Sequence, residues 1–146
     1  MQRPPIDWRR SWAAGSEAHT VAEIDYLELP AADIAATKAF YTSVFGWSWV
    51  DYGPAYSAST SGPVEVALNG EAEPVPLHPE GAQSANGPLV LLRTDDLESV
   101  RASVRAAGGM ILSDIYPYPG GRRLHLVDPS GNVLGVYQPA DPPGEQ

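Results

Sequence analysis

The chain has 146 residues, of which 43% are apolar and 18% charged, a balance that is typical of a globular domain and unlike that of a disordered chain. Its formal net charge of -9 repels phosphate backbones, so we expect no nucleic-acid partner. The absence of cysteine excludes disulfides and thiolate metal ligands and is compatible with the cytoplasmic location that we expect. No apolar stretch approaches the roughly 20 residues of a membrane span, so we expect no membrane partner.

Residues 1–20 are predicted to form an N-terminal arm, followed by a first module over residues 21–70. In that module, helical spacing of apolar residues predicts a helix that begins at Asp33 and ends at Gly46. Alternating apolar residues predict strands around it, with turns of Gly and Pro between them. The predicted strands of the first module are 24–29, 47–52, 55–60 and 64–68.

The same pattern returns in a second module, over residues 87–139. Its helix is predicted from Asp96 to Gly109 and so begins 63 residues after the helix at Asp33. Residues 71–86 are rich in Pro, Gly, Glu and Ala and predict a linker, and residues 140–146 are predicted to be a C-terminal tail. The predicted strands of the second module are 89–93, 110–116, 122–127 and 133–138.

Each module therefore has the order strand, helix and three strands, written βαβββ. One such module cannot bury both faces of its sheet, whereas two modules placed together can. We predict an α+β fold in which two βαβββ modules form a curved mixed sheet around a cup, with the helices on the outside.

Four short stretches carry a further signal: residues 24–30 (IDYLELP), residues 33–47 with their FY and FGW motifs, residues 95–97 (DDL), and residues 120–132 (GGRRLHLVDPSGN). Their order and spacing resemble the vicinal oxygen chelate superfamily, which includes glyoxalases, bleomycin resistance proteins and extradiol dioxygenases. The resemblance covers about residues 22–139. It implies a fold that encloses a small-molecule site, and in many members a divalent metal ion.

The resemblance also implies where metal ligands would lie, on the first and last strands of each module. In this sequence three of the four positions hold Tyr26, Leu89 and Gly135, and the fourth has Glu65 as its candidate. A divalent ion needs several oxygen or nitrogen donors, which leucine and glycine side chains do not supply. We therefore predict no metal and no cofactor, and we do not transfer the superfamily's metal-dependent reactions to this chain.

Strand alternation places Tyr26 and Glu28 on the cup face. Glu28 could bind a cationic group, act as a base or pair with an arginine. Arg93 could pair with Glu28 or with a ligand anion. His125 suits acid–base chemistry, although a strand histidine is more often structural.

Aromatic residues on these strands could stack on a planar ligand or simply form the sheet core. No catalytic residue is assigned. The predicted ligand-binding residues are Tyr26, Glu28, Trp47, Trp49, Arg93, His125 and Tyr137.

Three functions stay open. The first is a metal-independent protein that binds a drug or a metabolite. The second is a lyase or dioxygenase-type enzyme with atypical metal ligands, and the third is a non-catalytic interaction module. The predicted partners are a small-molecule ligand and a second copy of the chain in a homodimer.

Overall fold

The computed structural model describes residues 22–74 and 87–141. The predicted arm, residues 75–86 of the predicted linker and residues 142–146 of the predicted tail lie outside the described residues. In chain order the elements are β1 (Tyr26–Pro30), α1 (Ile34–Phe45), β2 (Trp49–Asp51), β3 (Tyr56–Ser59), β4 (Glu65–Asn69), β5 (Val90–Arg93), α2 (Leu97–Ala106), β6 (Met110–Tyr118), β7 (Gly121–Val127) and β8 (Val133–Pro139). No described helix is long and apolar enough to cross a membrane.

The two helices begin at the predicted aspartates. The carboxylates of Asp33 and Asp96 each accept the backbone N–H three residues later, at 3.0 Å, and so satisfy a donor that the helix leaves open. Gly46 ends α1 in a left-handed conformation with φ of 74°, which glycine adopts without a steric penalty. In α2 the left-handed residue is Gly108, so this helix ends at Ala106, earlier than predicted.

Each module forms its own four-stranded mixed sheet. The strand orders are β1-β4-β3-β2 and β5-β8-β7-β6, with the first strand parallel to the last strand of its module and the other pairs antiparallel. This matching topology confirms the predicted repeat of two βαβββ modules and the α+β class. The two sheets are separate, because among the described residues β1 and β5 are hydrogen-bonded to a neighbour on one side only.

One apolar core joins the two modules. It consists of the buried side chains of both helices and of the sheet faces that these helices cover: Leu29, Phe40, Tyr41, Val66, Leu68, Leu97, Val100, Val104, Leu124, Leu126, Leu134 and Val136. Each sheet has a second face that is not part of this core, which we call its open face. Both open faces therefore point away from the shared core.

A buried hydrogen-bond network also joins the modules. The hydroxyl of Tyr41 on α1 donates to Oδ2 of Asp128, in the turn between β7 and β8, at 2.8 Å. The same carboxylate accepts the Asn132 side-chain amide at 2.9 Å, and that amide also donates to the Pro30 carbonyl at 2.9 Å. Burial raises the pKa of both the Tyr41 phenol and the Asp128 carboxyl. The turn of the second module is therefore fastened to two elements of the first.

We predict that Tyr41→Phe keeps the aromatic packing but removes a hydrogen bond to a buried carboxylate. Such bonds contribute about 1.5–3 kcal/mol, so the free energy of unfolding measured in urea should fall by about that amount. Tyr137→Phe is a matched control, because Tyr137 is only half-buried and its hydroxyl has no hydrogen-bond partner in the part of the chain that the structure describes. Equal losses in the two variants would contradict the assigned role of the Tyr41–Asp128 bond.

Candidate functional site

The open face of the first sheet carries a chain of hydrogen-bonded polar side chains. The hydroxyls of Tyr26 and Tyr56 are 2.6 Å apart, and the Tyr56 hydroxyl donates to Oε1 of Glu28 at 2.8 Å. The side-chain amide of Asn69 donates to Oε2 of the same carboxylate at 3.0 Å. We call these four residues the tyrosine–glutamate cluster. The structure thus brings Tyr26 and Glu28 together through Tyr56.

Strand register explains how the cluster forms. In parallel and antiparallel pairs, residues directly opposite each other share a face of the sheet. Tyr26 on β1 lies opposite Glu65 on β4, and Tyr56 on β3 lies opposite Asn69 on β4. Sequence reasoning missed Tyr56 and Asn69 as site residues. Alternation within one strand predicts which of its residues share a face. Which residues of different strands become neighbours depends on the pairing register, and this register places Tyr56 and Asn69 beside Glu28.

Burial keeps the two phenols of the cluster protonated. It is the first cause of a pKa raised to about 12 for Tyr56 and of a pKa raised well above the ordinary tyrosine value for Tyr26, where the bond to Tyr56 adds to the effect. Burial also raises the pKa of Glu65, with the nearby Asp25 charge as a second cause. At neutral pH this face therefore presents neutral hydroxyls beside carboxyl groups.

The positions where the family resemblance places metal ligands do not fit a divalent ion. Burial, together with the bond to Tyr56, raises the pKa of Tyr26 and keeps it a neutral phenol, and Leu89 and Gly135 offer no side-chain donor. Any side chain at Gly135 would meet Leu91, whose methyl group lies against that position. Among residues 22–74 and 87–141, no group of three or more His, Asp or Glu side chains is arranged to hold a metal.

The open face of the second sheet is basic and aromatic. Arg93 on β5, Tyr137 on β8, Arg123 on β7 and Tyr116 on β6 lie side by side across the four strands, because each is paired directly with the next. We call these four residues the arginine–tyrosine row. Arg93 and Tyr137 were predicted as site residues, whereas Arg123 and Tyr116 were not among them.

His125 belongs to the neighbouring row on the same face, opposite Gly135. Its Nε2 lies 3.2 Å from the Tyr116 hydroxyl, and that hydroxyl in turn accepts the Nε–H of Arg123 at 2.5 Å. The histidine is 5% exposed. His125 is therefore a buried side chain that contacts the row through Tyr116 and does not present its imidazole to solvent.

Trp47 and Trp49 are separated from the other predicted site residues. Their rings lie 5.0 and 6.4 Å from the Tyr41 ring, and Phe45 stacks on the same cluster. These contacts place both tryptophans on the helix side of the first sheet, so the prediction that they line the cup needs correction. The pairing register of the strands explains this position, because it places Trp49 on β2 and Tyr26 on β1 on opposite faces of the first sheet.

The possible pair between Arg93 and Glu28 is not formed. Glu28 bonds to Tyr56 and Asn69 instead, and no carboxylate of the described residues lies within ion-pair distance of Arg93. The two open faces therefore carry opposite charge, acidic on the first sheet and basic on the second.

Comparisons with known proteins agree on one family. The model of the Glyoxalase/Bleomycin resistance protein/Dioxygenase superfamily matches residues 23–136. CFP32 of Mycobacterium tuberculosis and CFP32 of Mycobacterium bovis are each 31% identical to the chain in an alignment of 123 residues that covers 78% of this chain. The matched region spans only 44% of the length of these relatives.

Solved structures with the same fold belong to proteins with different functions. A glyoxalase/bleomycin resistance protein/dioxygenase family enzyme from Burkholderia phytofirmans has a TM-score of 0.64 at 20% identity, covering 82% of this chain and all of that one. TnmS3, an antibiotic binding protein from a Streptomyces species, has a TM-score of 0.63 at 22% identity, with 83% and 98% covered. Lactoylglutathione lyase from Agrobacterium tumefaciens has a TM-score of 0.60 at 22% identity, with 82% and 95% covered. At these identities the likeness shows the fold alone.

The raised pKa values of the two cluster phenols predict that they stay protonated in mild alkali. A group with a pKa of about 12 is only a few per cent ionised at about pH 10.5, where an unperturbed tyrosine is mostly ionised. The double variant Tyr26→Phe/Tyr56→Phe should therefore show the same rise in tyrosinate absorbance between about pH 8 and about pH 10.5 as the parent protein. A rise smaller by the amplitude of two tyrosines would contradict the cluster.

Proposed function

Because the chain belongs to the glyoxalase/bleomycin resistance protein/dioxygenase superfamily, we propose that it binds a small organic molecule, a drug or a metabolite, without a metal ion. The proposal rests on the side chains that occupy the positions expected for metal ligands. Tyr26 is tied to Tyr56 and Glu28, and a leucine methyl lies against Gly135. The superfamily's fold is kept, whereas the donor set for a metal is not.

The open faces supply the contacts that such a ligand needs. Binding sites for small molecules combine apolar and aromatic surface with a few well-placed polar groups. The tyrosine–glutamate cluster offers a carboxylate and hydroxyls, and the arginine–tyrosine row offers aromatic rings and guanidinium groups. That TnmS3 is an antibiotic binding protein with the same fold supports a binding function of this kind.

An enzyme of the same superfamily is the second candidate, and one observation favours it. Glu28 is an exposed carboxylate that is held in place by hydrogen bonds from Tyr56 and Asn69, so it could take a proton from a bound substrate as a general base and release it to solvent. Under this alternative Glu28→Gln would leave ligand affinity nearly unchanged while turnover is lost. Under the binding function the same substitution changes affinity alone.

Metal content and ligand binding together test the proposal. We expect purified protein to contain far less than one equivalent of divalent metal, and a ligand found by thermal-shift screening of antibiotics and metabolites to raise Tm equally with and without EDTA. Tyr26→Ala and Tyr137→Ala should each raise the Kd of that ligand by about tenfold or more, because each removes an aromatic contact.

Met110→Ala is the control, because Met110 is an exposed side chain outside both clusters. The milder Glu28→Gln keeps the test usable if either alanine variant fails to fold. A tightly held stoichiometric metal ion would overturn the metal-free proposal. Binding that is unaffected by all three site variants would favour the interaction module.

We further propose that the chain forms a homodimer in which β1 of one copy lies beside β5 of the other. The support is that each of these strands has an edge that pairs with no other strand of residues 22–74 and 87–141, and that one chain presents its two open faces away from a shared core. A cup lined by both faces therefore needs a second copy. The cytoplasmic location remains a prediction from composition.

The dimer predicts a solution mass of twice 15.6 kDa by light scattering. Leu91→Glu places a charge on the exposed side of β5 and should shift the protein towards the monomer. Met110→Glu, on the opposite edge strand β6 of the same sheet, should not. A monomeric parent protein, or dissociation caused only by Met110→Glu, would contradict the proposed interface.

A further inference from the structure

We propose that the arginine–tyrosine row binds an organic anion, a carboxylate or sulfonate carried on a planar aromatic ring. This inference rests on the proposed small-molecule-binding function and names the chemical class of its ligand. The site consists of Arg93, Tyr137, Arg123 and Tyr116 on the open face of the second sheet.

The first argument is the pairing of charges. In a chain with a net charge of -9, carboxylates are abundant, and most described basic side chains have one as a partner. The paired basic residues are Lys38, Arg101, Arg105 and Arg122. Among the described residues, Arg93 and Arg123 have no carboxylate within ion-pair distance. The two cations without a carboxylate partner lie on the same face and in the same row.

The second argument is the way Arg123 is held. Its Nε donates to the Tyr116 hydroxyl, and its guanidinium carbon lies 4.7 Å from the centre of the Tyr118 ring and 5.5 Å from that of Tyr116. The Tyr116 hydroxyl is itself held by His125. These contacts orient the guanidinium without neutralising it, so its two terminal amino groups are available to bind an anion in a forked geometry.

The third argument is the spacing along the row. Arg93 and Arg123 flank Tyr137 on the two neighbouring strands, so their Cα atoms are about 10 Å apart at the usual separation of strands. When the anionic group of the ligand binds Arg123, the aromatic ring of the ligand lies over Tyr137, where stacking is favourable. The opposite end of the ligand then lies near Arg93. Arg93 is exposed and opens onto a depression that Asp95 and Asp141 also line, so Arg123 is the main anchor.

The acidic face of the other sheet adds discrimination. Glu28 and Glu65 lie on the open face of the first sheet, where an anion is repelled. Anions should therefore bind at the row and not at the tyrosine–glutamate cluster. This difference allows the ligand class to be tested separately from the binding function.

Three probes of equal shape and different charge test the inference: 2-naphthoate, neutral 2-naphthamide and cationic 2-naphthylmethylammonium. Calorimetry on the full chain should show 2-naphthoate binding at least about tenfold more tightly than 2-naphthamide, as charge-assisted hydrogen bonds predict. Arg123→Gln should remove this preference, and Arg93→Gln should reduce it. If Arg123→Gln does not fold, the loss of preference for 2-naphthoate is measured in Arg93→Gln, because Arg93 is an exposed residue.

Arg105→Gln is the matched control, because it changes the net charge equally but lies on α2, paired with Asp114. It should leave the preference for the anion unchanged. Equal affinities for the three probes, or a preference that survives Arg123→Gln, would overturn the inference while leaving the binding function intact.

Two further outcomes are decisive. Failure of all three probes to bind, while a screened ligand binds through Tyr26, would overturn the anion site alone. If Arg123→Gln instead dissociates the dimer and no anion preference is seen, the row serves contact between copies, and the inference is likewise overturned.

Discussion

The bond from the Tyr41 hydroxyl to the Asp128 carboxylate connects two modules whose sheets share no strand pairing among the described residues. Tyr41 is fully buried and Asp128 is 3% exposed, so neither group can exchange its partner for water. Removing the tyrosine hydroxyl leaves the desolvated Asp128 carboxylate with one hydrogen bond fewer, because the amide of Asn132 remains as its partner. Asn132 extends the same network to the end of β1 through the Pro30 carbonyl. The position of the second sheet relative to α1 therefore depends on this contact.

This junction has a consequence for function. Because the helix-covered faces of both sheets meet in one core, the open faces are left free to carry polar groups. On the first sheet these groups are carboxyls and neutral hydroxyls, and on the second they are guanidinium groups and tyrosine rings. Two sheets of the same topology therefore carry surfaces of opposite charge. In the proposed homodimer, the acidic face of one copy and the basic face of the other would contact different parts of one ligand.

The residues at the positions where the family resemblance places metal ligands fit the same picture. Gly135 lies in the row beside the arginine–tyrosine row, with a leucine methyl against it and His125 directly opposite. Tyr26, on the first strand of the other module, is a hydrogen-bond donor or acceptor within a chain of hydroxyls. Both positions now shape an organic surface. Fold and chemistry are separable in this superfamily, because the sheets are held by the core and the caps, which make no use of a metal.

Local patterns in the sequence were enough to predict the repeat, the helix starts at Asp33 and Asp96, and the strands, because capping and alternation depend on neighbouring residues. They were also enough to place Tyr26 and Glu28 on one face. The pairing of strands was not predictable in this way, because register depends on residues far apart in the chain. For that reason Tyr56 and Arg123 were missed and Trp49 was assigned to the wrong face. Only the tertiary structure decided that one chain holds two sheets joined through Tyr41 and Asp128, since their bond forms across 87 residues of sequence.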